Sequence, residues 1–316
     1  MSDFLHNDPE FKELIAIVSE KLGIETALVE KDYWIMHSLY GLQQQGIEFE
    51  LKGGTSLSKG YGLIQRFSED IDIHIRTNFG FNIEGKEDKA EIKEARKAFY
   101  DKLAGEISIN GIIKIERDHE FDDLEKYRSG GVRLYYNSYA PALEGLKEGI
   151  LLEAGFDTVA PNQPIDISSW VLDHVKSSEG SFDYIDNTAK AVFCYHPGYT
   201  LVEKLQTIVN KFRKESGNME KPRNFLRQYY DVYCLLKYPN VQQFIGTPEY
   251  ETHKAARFRG ADREIPLSEH PALLLPDKIL RSTFENQYKR SAKLYYKNQP
   301  DFEVILAGIQ EYIHLL

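Results

Sequence analysis

The stretch Leu51–Ile75, LKGGTSLSKGYGLIQRFSEDIDIHI, constrains this chain more than any other. Its last six residues alternate a polar side chain with isoleucine. In a β-strand, residues i and i+2 share a face, so Asp70 and Asp72 project together while Ile71 and Ile73 enter a core. Burying the two aspartates without a cation or hydrogen-bond donors would be costly. Ser68 falls in the same alternation and faces the same way. Upstream stands a glycine-hydroxyl turn, Gly53-Gly54-Thr55-Ser56.

These parts suggest a chemistry. Two carboxylates held side by side repel unless a cation sits between them, and oxygen-only ligation suits Mg²⁺ or Mn²⁺. Glycines let the backbone approach a polyphosphate, and the N–H groups of Thr55 and Ser56 are placed to bind its oxygens. The intervening Leu57, Tyr61, Leu63 and Ile64 are compatible with a short helix, giving strand, turn, helix, strand. A polar hairpin edge with a solvated acidic face is the plain alternative, and the interleaved isoleucines argue against it. A phosphate cradle leading into a metal-binding DxD strand is the apparatus of a nucleotidyltransferase.

The segment resembles the first motif of the AbiEii/AbiGii toxin family, nucleotidyltransferase-like bacterial proteins that include the MenT toxins. VEKDYW at Val29–Trp34, PGYTLVEKLQTIVNKFRK at Pro197–Lys214 and RNFLRQYYDVYCLL at Arg223–Leu236 fit in the expected order, so the resemblance spans most of the chain. It implies an α/β (α+β) fold with a DNA-polymerase-β-like nucleotidyltransferase core and a helical C-terminal lobe. It also implies a nucleoside triphosphate substrate, a divalent metal and pairing with an antitoxin. Some relatives add nucleotides to the 3′ end of tRNA, which makes tRNA one expected acceptor. An acceptor on a protein or a small molecule fits the same motifs, and so does a catalytically silent module that binds nucleotide or a partner.

On this reading Asp70 and Asp72 are the metal ligands. Gly53, Gly54, Thr55, Ser56 and Lys204 bind the triphosphate, with Ser68 lining the same pocket. A third acid commonly completes such sites from a neighbouring strand. Glu153, the lone carboxylate of ILLEAGF, is one candidate, as ligand or as base for the attacking hydroxyl. An outward-facing strand glutamate is the other reading, with Glu116 and Asp118 as competitors. Lys204 and Lys211 lie seven apart beside the apolar stripe Leu201, Leu205, Ile208 and Phe212, which suits an ammonium at a cleft edge. Asp231 lines up with the aspartate of the family's YDL-like segment, here followed by Val232. It either pairs with Arg227 one turn earlier or orients Lys204 or an arginine at the nucleotide site. Lys31 and Asp32 find no explanation in the sequence.

Composition bounds the remainder. The net charge of −10 counts against a general nucleic-acid binder, which gains from counterion release on a basic surface. The charge is uneven, however. Seven basic residues (Lys204, Lys211, Arg213, Lys214, Lys221, Arg223, Arg227) face two acidic ones (Glu215, Glu220) between positions 204 and 227. Lys254, Arg257, Arg259 and Arg263 form a second group. Local patches on an acidic body suit a triphosphate or one RNA end. No apolar run reaches membrane-span length and the N-terminus lacks a signal pattern, so the expectation is a cytoplasmic protein with no membrane partner. Cys194 and Cys234 match neither a disulfide framework nor a zinc spacing.

Periodicity predicts an amphipathic helix over 25–44 with Leu28, Ile35, Leu39 and Leu42 on one stripe, and a surface helix over 88–104. Strands are expected at 47–52, 111–116, 132–137 and 150–156. Helical periodicity dominates from about His196. The expected domains are 1–190, the nucleotidyltransferase domain with N-terminal helices, and 191–316, mainly helical.

Overall fold

A computed structural model describes residues 2–83, 89–157, 159–178, 183–215 and 224–316. The expected positions Asp88, Glu220, Lys221 and Arg223 lie outside the described residues. The chain divides into two units, Met1–Tyr61 with Phe67–Tyr195, and Gly62–Arg66 with His196–Leu316.

In the first unit the DIDIHI strand occupies the middle of a seven-stranded mixed sheet. The strands are β1 (Phe49–Lys52), β2 (Asp70–Ile75), β3 (Ile112–Asp118), β4 (Ser129–Tyr136), β5 (Ile150–Gly155), β6 (Asn162–Ile167) and β7 (Ala189–Tyr195). They line up as β3-β4-β5-β2-β1-β7-β6. β2 runs antiparallel to β1 and parallel to β5, and β1 runs parallel to β7. Ile71, Ile73 and Ile75 are buried, as the alternation requires. β6 and β7 were not anticipated. β6, NQPIDI, is an edge strand carrying a proline, and its weak apolar alternation gives little local signal.

Among the described residues the α-helices of this unit are α1 (Phe11–Leu22), α2 (Thr26–Gln44), the single turn α3 (Gly53–Thr55), α4 (Ala90–Glu106) and α5 (Trp170–Ser177). α2 corrects the expected amphipathic helix, because every residue from Leu28 to Leu39 is buried. Charge survives inside it because each charged group finds a partner. Glu30 accepts from Ser138 Oγ at 2.6 Å and from the Tyr139 N–H at 2.7 Å. Asp32 pairs with Lys59 at 3.0 Å and accepts from the Trp170 N–H, which opens α5, at 2.8 Å. Lys31 donates to the Lys147 carbonyl at 2.7 Å. The helix is a hub that ties down three connections. α4 likewise buries a face, with Ile92, Phe99, Tyr100 and Leu103 inside, despite its Glu and Lys content.

α2 also carries a buried histidine. The Nε2–H of His37 donates to the Asn110 carbonyl at 3.0 Å, and its Nδ1 accepts from Asn187 at 3.0 Å. Burial, reinforced by nearby His6, pushes its pKa down to about 4. The unfolded chain binds this proton near pH 6.5 and the folded one does not, so stability is full above that value and falls as pH drops toward 4. We expect about 3 kcal/mol to be lost across that window through His37. Urea unfolding at pH 7 and pH 4 measures it. A His37→Gln variant that keeps the full pH slope would refute the assignment.

The second unit is helical. Its helices are α6 (Pro197–Glu215), α7 (Arg227–Leu236), α8 (Pro239–Phe244), α9 (Pro248–Arg257), α10 (Pro271–Leu274), α11 (Lys278–Lys289) and α12 (Phe302–Tyr312). Leu201, Leu205 and Ile208 of α6, Tyr229, Val232 and Leu235 of α7, and Phe302, Ile305 and Ile309 of α12 are buried. Among the described residues no helix is long and apolar enough to cross a membrane.

Candidate active site

Two groups of the singled-out residues emerge, one in each unit. The first surrounds β2. Pairing sets Lys52 of β1 opposite Asp72, and Asp72 opposite Glu153 of β5. Paired residues on neighbouring strands share a face and stand about 5 Å apart. Sheet register therefore brings Glu153 beside Asp72, with Asp70 two residues along on the same face. Glu116 and Asp118 are on β3, separated from β2 by β4 and β5, and their charges are taken by Lys114 and Arg133.

The turn after β1 closes on these acids. Gly53 has φ of +70°, and a Cβ there would collide with the Asp72 carboxylate. Only glycine meets both conditions. Thr55 and Ser56 are buried, and the Thr55 hydroxyl donates to the Asp70 carbonyl at 2.6 Å, fastening the turn to β2. The Ser56 N–H bonds to the Gly53 carbonyl, so the open end of the turn is formed by Gly53, Gly54 and Thr55, with no side-chain cap. Ser68 precedes β2 and is half-buried.

Electrostatics mark the same place. Burial pushes the Asp70 carboxyl up to about 6, with Asp72 adding repulsion and Lys147 opposing both. Burial and the charge of Asp72 push Glu153 up to about 7. Asp70 Oδ1 is buried without a hydrogen-bond partner. Lys147, which the sequence reading did not single out, comes within 3.9 Å of that oxygen.

These donors suit a hard cation. They are all carboxylate oxygens, they repel one another, and one is buried unsatisfied. Among the described residues no three His, Cys, Asp or Glu side chains converge into a ready metal cage. A Mg²⁺ site does not need one, since this ion is held by one or two carboxylates with waters and substrate phosphates completing the shell.

The second group lies on α6, α7 and the Gly62–Arg66 segment. Asp231 is fully buried and binds two cations. Arg66 grips it with Nε at 2.7 Å and NH2 at 2.5 Å, and Lys204 Nζ lies 2.6 Å from Oδ2. Burial alone would push this carboxyl up, but Arg66 and then Lys204 overcome it and hold the carboxyl below the usual range. Lys204 also donates to Gln228 at 2.8 Å. Arg66 was missed; an arginine inside the apolar LIQRF run was the available signal. Of the basic patches, Arg213 is engaged with Asp262 and Arg257 with Glu203, while Lys211 and Lys214 are exposed.

The family model "Nucleotidyl transferase AbiEii toxin, Type IV TA system" matches residues 35–308. No curated protein sequence matches. Among solved structures the chain is similar to an antigenic nucleotidyltransferase-like protein from Paracoccidioides brasiliensis, at 14% identity over 81% of this chain and 92% of that one, with a TM-score of 0.39. It is also similar to the antibiotic-resistance factor ANT(2'')-Ia, at 11% identity over 74% of this chain and 92% of that one, with a TM-score of 0.31.

Proposed function

The chain belongs to the AbiEii family of nucleotidyl transferase toxins, and on that premise we propose that it transfers a nucleoside monophosphate from an NTP to a hydroxyl, with the 3′ end of tRNA as the acceptor. The observation that carries the reading is the packing of the Gly53 turn against Asp72 in a sheet whose register also brings Glu153 to that residue. An acceptor hydroxyl attacks the α-phosphorus, the bond to the β-phosphate oxygen breaks, and pyrophosphate leaves.

Asp70 and Asp72 would hold two divalent cations, Mg²⁺ or Mn²⁺, which would neutralise charge on the reacting phosphates and lower the pKa of the attacking hydroxyl. Gly53, Gly54 and Thr55 present backbone at the open end of a helical turn, where phosphate oxygens are favoured. Glu153, with its raised pKa, is suited to take the proton of the hydroxyl as it attacks. Ser68 lines the same face. Lys204 enters the proposal from the family motif alone; within its own unit Asp231 fixes its ammonium. The family also supplies an expected antitoxin partner.

Incubation of the purified protein with total bacterial RNA, Mg²⁺ and each of the four NTPs labelled at the α-phosphate tests the reading. Label on a tRNA-sized band is the expected result and names the base. Label on protein instead refutes the RNA acceptor while keeping the transferase chemistry. Absence of both NTP binding and label refutes the function.

A further inference from the structure

Lys31 is a lysine buried to 1% exposure in the middle of a helix, and its surroundings show what it holds. Its ammonium donates to the Lys147 carbonyl at 2.7 Å and lies 3.7 Å from the carboxylate of Glu69, itself 4% exposed. Glu69 in turn accepts from the Lys147 N–H at 3.0 Å. The two main-chain polar groups of one loop residue are thus gripped by the two members of a buried ion pair. Burying such a pair is costly relative to apolar packing, so its presence calls for a task beyond stability.

The gripped residue points at the acids. The Lys147 ammonium lies 3.9 Å from Asp70 Oδ1 and 4.9 Å from the centre of the Phe121 ring, on a side chain 39% exposed. At 3.9 Å the ammonium makes no hydrogen bond to Asp70, and Asp70 Oδ1 has none from any other group. A lysine whose backbone is fixed at both polar atoms, and whose charge stands beside a catalytic acid without docking on it, is prepared for a third party that bears negative charge. All five residues belong to the first unit.

We propose that Lys147 is a substrate-contacting residue that binds triphosphate oxygens beside Asp70, and that the Lys31–Glu69 pair is the positioning device that aims it. The inference rests on the transferase reading above, and it assigns a task to Lys31 of the VEKDYW segment. An ammonium suits this task as a compact point charge with three donors that re-aims toward whichever phosphate oxygens arrive.

The rival role for Lys147 is a plain counter-ion to Asp70, and the two roles predict opposite signs. Binding of inorganic tripolyphosphate with Mg²⁺ is measured by calorimetry, a probe that needs neither the base nor the acceptor. If Lys147 contacts phosphate, Lys147→Met weakens binding by about tenfold or more, and Lys147→Arg restores most of it. If it only competes with metal for Asp70, Lys147→Met tightens binding or leaves it unchanged, which overturns the proposal while transferase activity persists. Lys147→Met removes a partly exposed side chain and is expected to fold. Lys31→Met is then compared in both backgrounds. Loss of affinity with Lys147 present, and no further loss in the Lys147→Met protein, establishes positioning. An equal loss in both backgrounds refutes it. Failure of the unmutated protein to bind any NTP or tripolyphosphate defeats the transferase reading and this inference together.

Discussion

Replacing Asp70 by asparagine lowers nucleotidyl transfer by about a hundredfold to a thousandfold or more while leaving the protein as stable as before or more so. The two halves of this expectation have one cause. Asp70 carries a carboxyl that burial pushes up to about 6, against an ordinary value of 3.8. A carboxylate raised in this way stabilises the fold only when protonated. Its contribution is fully present below pH 3.8 and is lost as pH rises through 6, so at neutral pH the ionised group is a liability of about 1–3 kcal/mol. Asparagine removes the charge and keeps the shape. The fold gains, and the cation that would answer the unpartnered Oδ1 loses its ligand. A residue kept for structure would show the reverse pattern. Initial rates of label transfer and urea unfolding at pH 7, measured on both proteins, decide the matter. Activity within tenfold of the unmutated protein, or a clear drop in stability, would refute the role given to Asp70.

Asp231→Ala has the opposite signature and the second large effect. It strands Arg66 and Lys204, both buried, with no counter-charge. Breaking a buried ion pair from one side costs about 3–5 kcal/mol, because the partner charge is left desolvated. Against a total stability of about 5–15 kcal/mol, that is a large fraction of what keeps the chain folded. Lys204→Met is expected to cost less, since the Arg66 guanidinium still holds both carboxylate oxygens. Urea midpoints for the two variants test the order. An Asp231→Ala protein within 1 kcal/mol of the original would show that the triad is not what holds α6, α7 and the Gly62–Arg66 segment together.

How much of this was legible in the sequence depends on how far apart the partners lie. Asp70 and Asp72 could be placed on one face because their relation spans two residues, and Gly53-Gly54 declared a turn by composition. The strands at β1, β3, β4 and β5 announced themselves through local apolar runs, as did the stripe of α6. Glu153 was visible as a lone acid in an apolar strand, yet its neighbour was not. Glu116 and Asp118 offered themselves too, and only pairing of β5 with β2 put Glu153 against Asp72. α2 was read as amphipathic because charged residues are normally exposed. Glu30, Lys31 and Asp32 defied that rule, each having a partner in a loop or helix far along the chain.

The sequence by itself determined a glycine-hydroxyl turn, two carboxylates on one strand face, and membership of a nucleotidyl transferase family. Those rest on contacts within a few residues, where backbone geometry leaves little choice. Tertiary structure alone decided which acid stands beside Asp72, which lysine faces Asp70, and why a Glu-Lys-Asp run is buried in α2. Each of those depends on a partner between 27 and 138 positions away, and what selects it is the requirement that every buried charge be met by another group. No local pattern in a chain encodes that requirement; the packed fold enforces it.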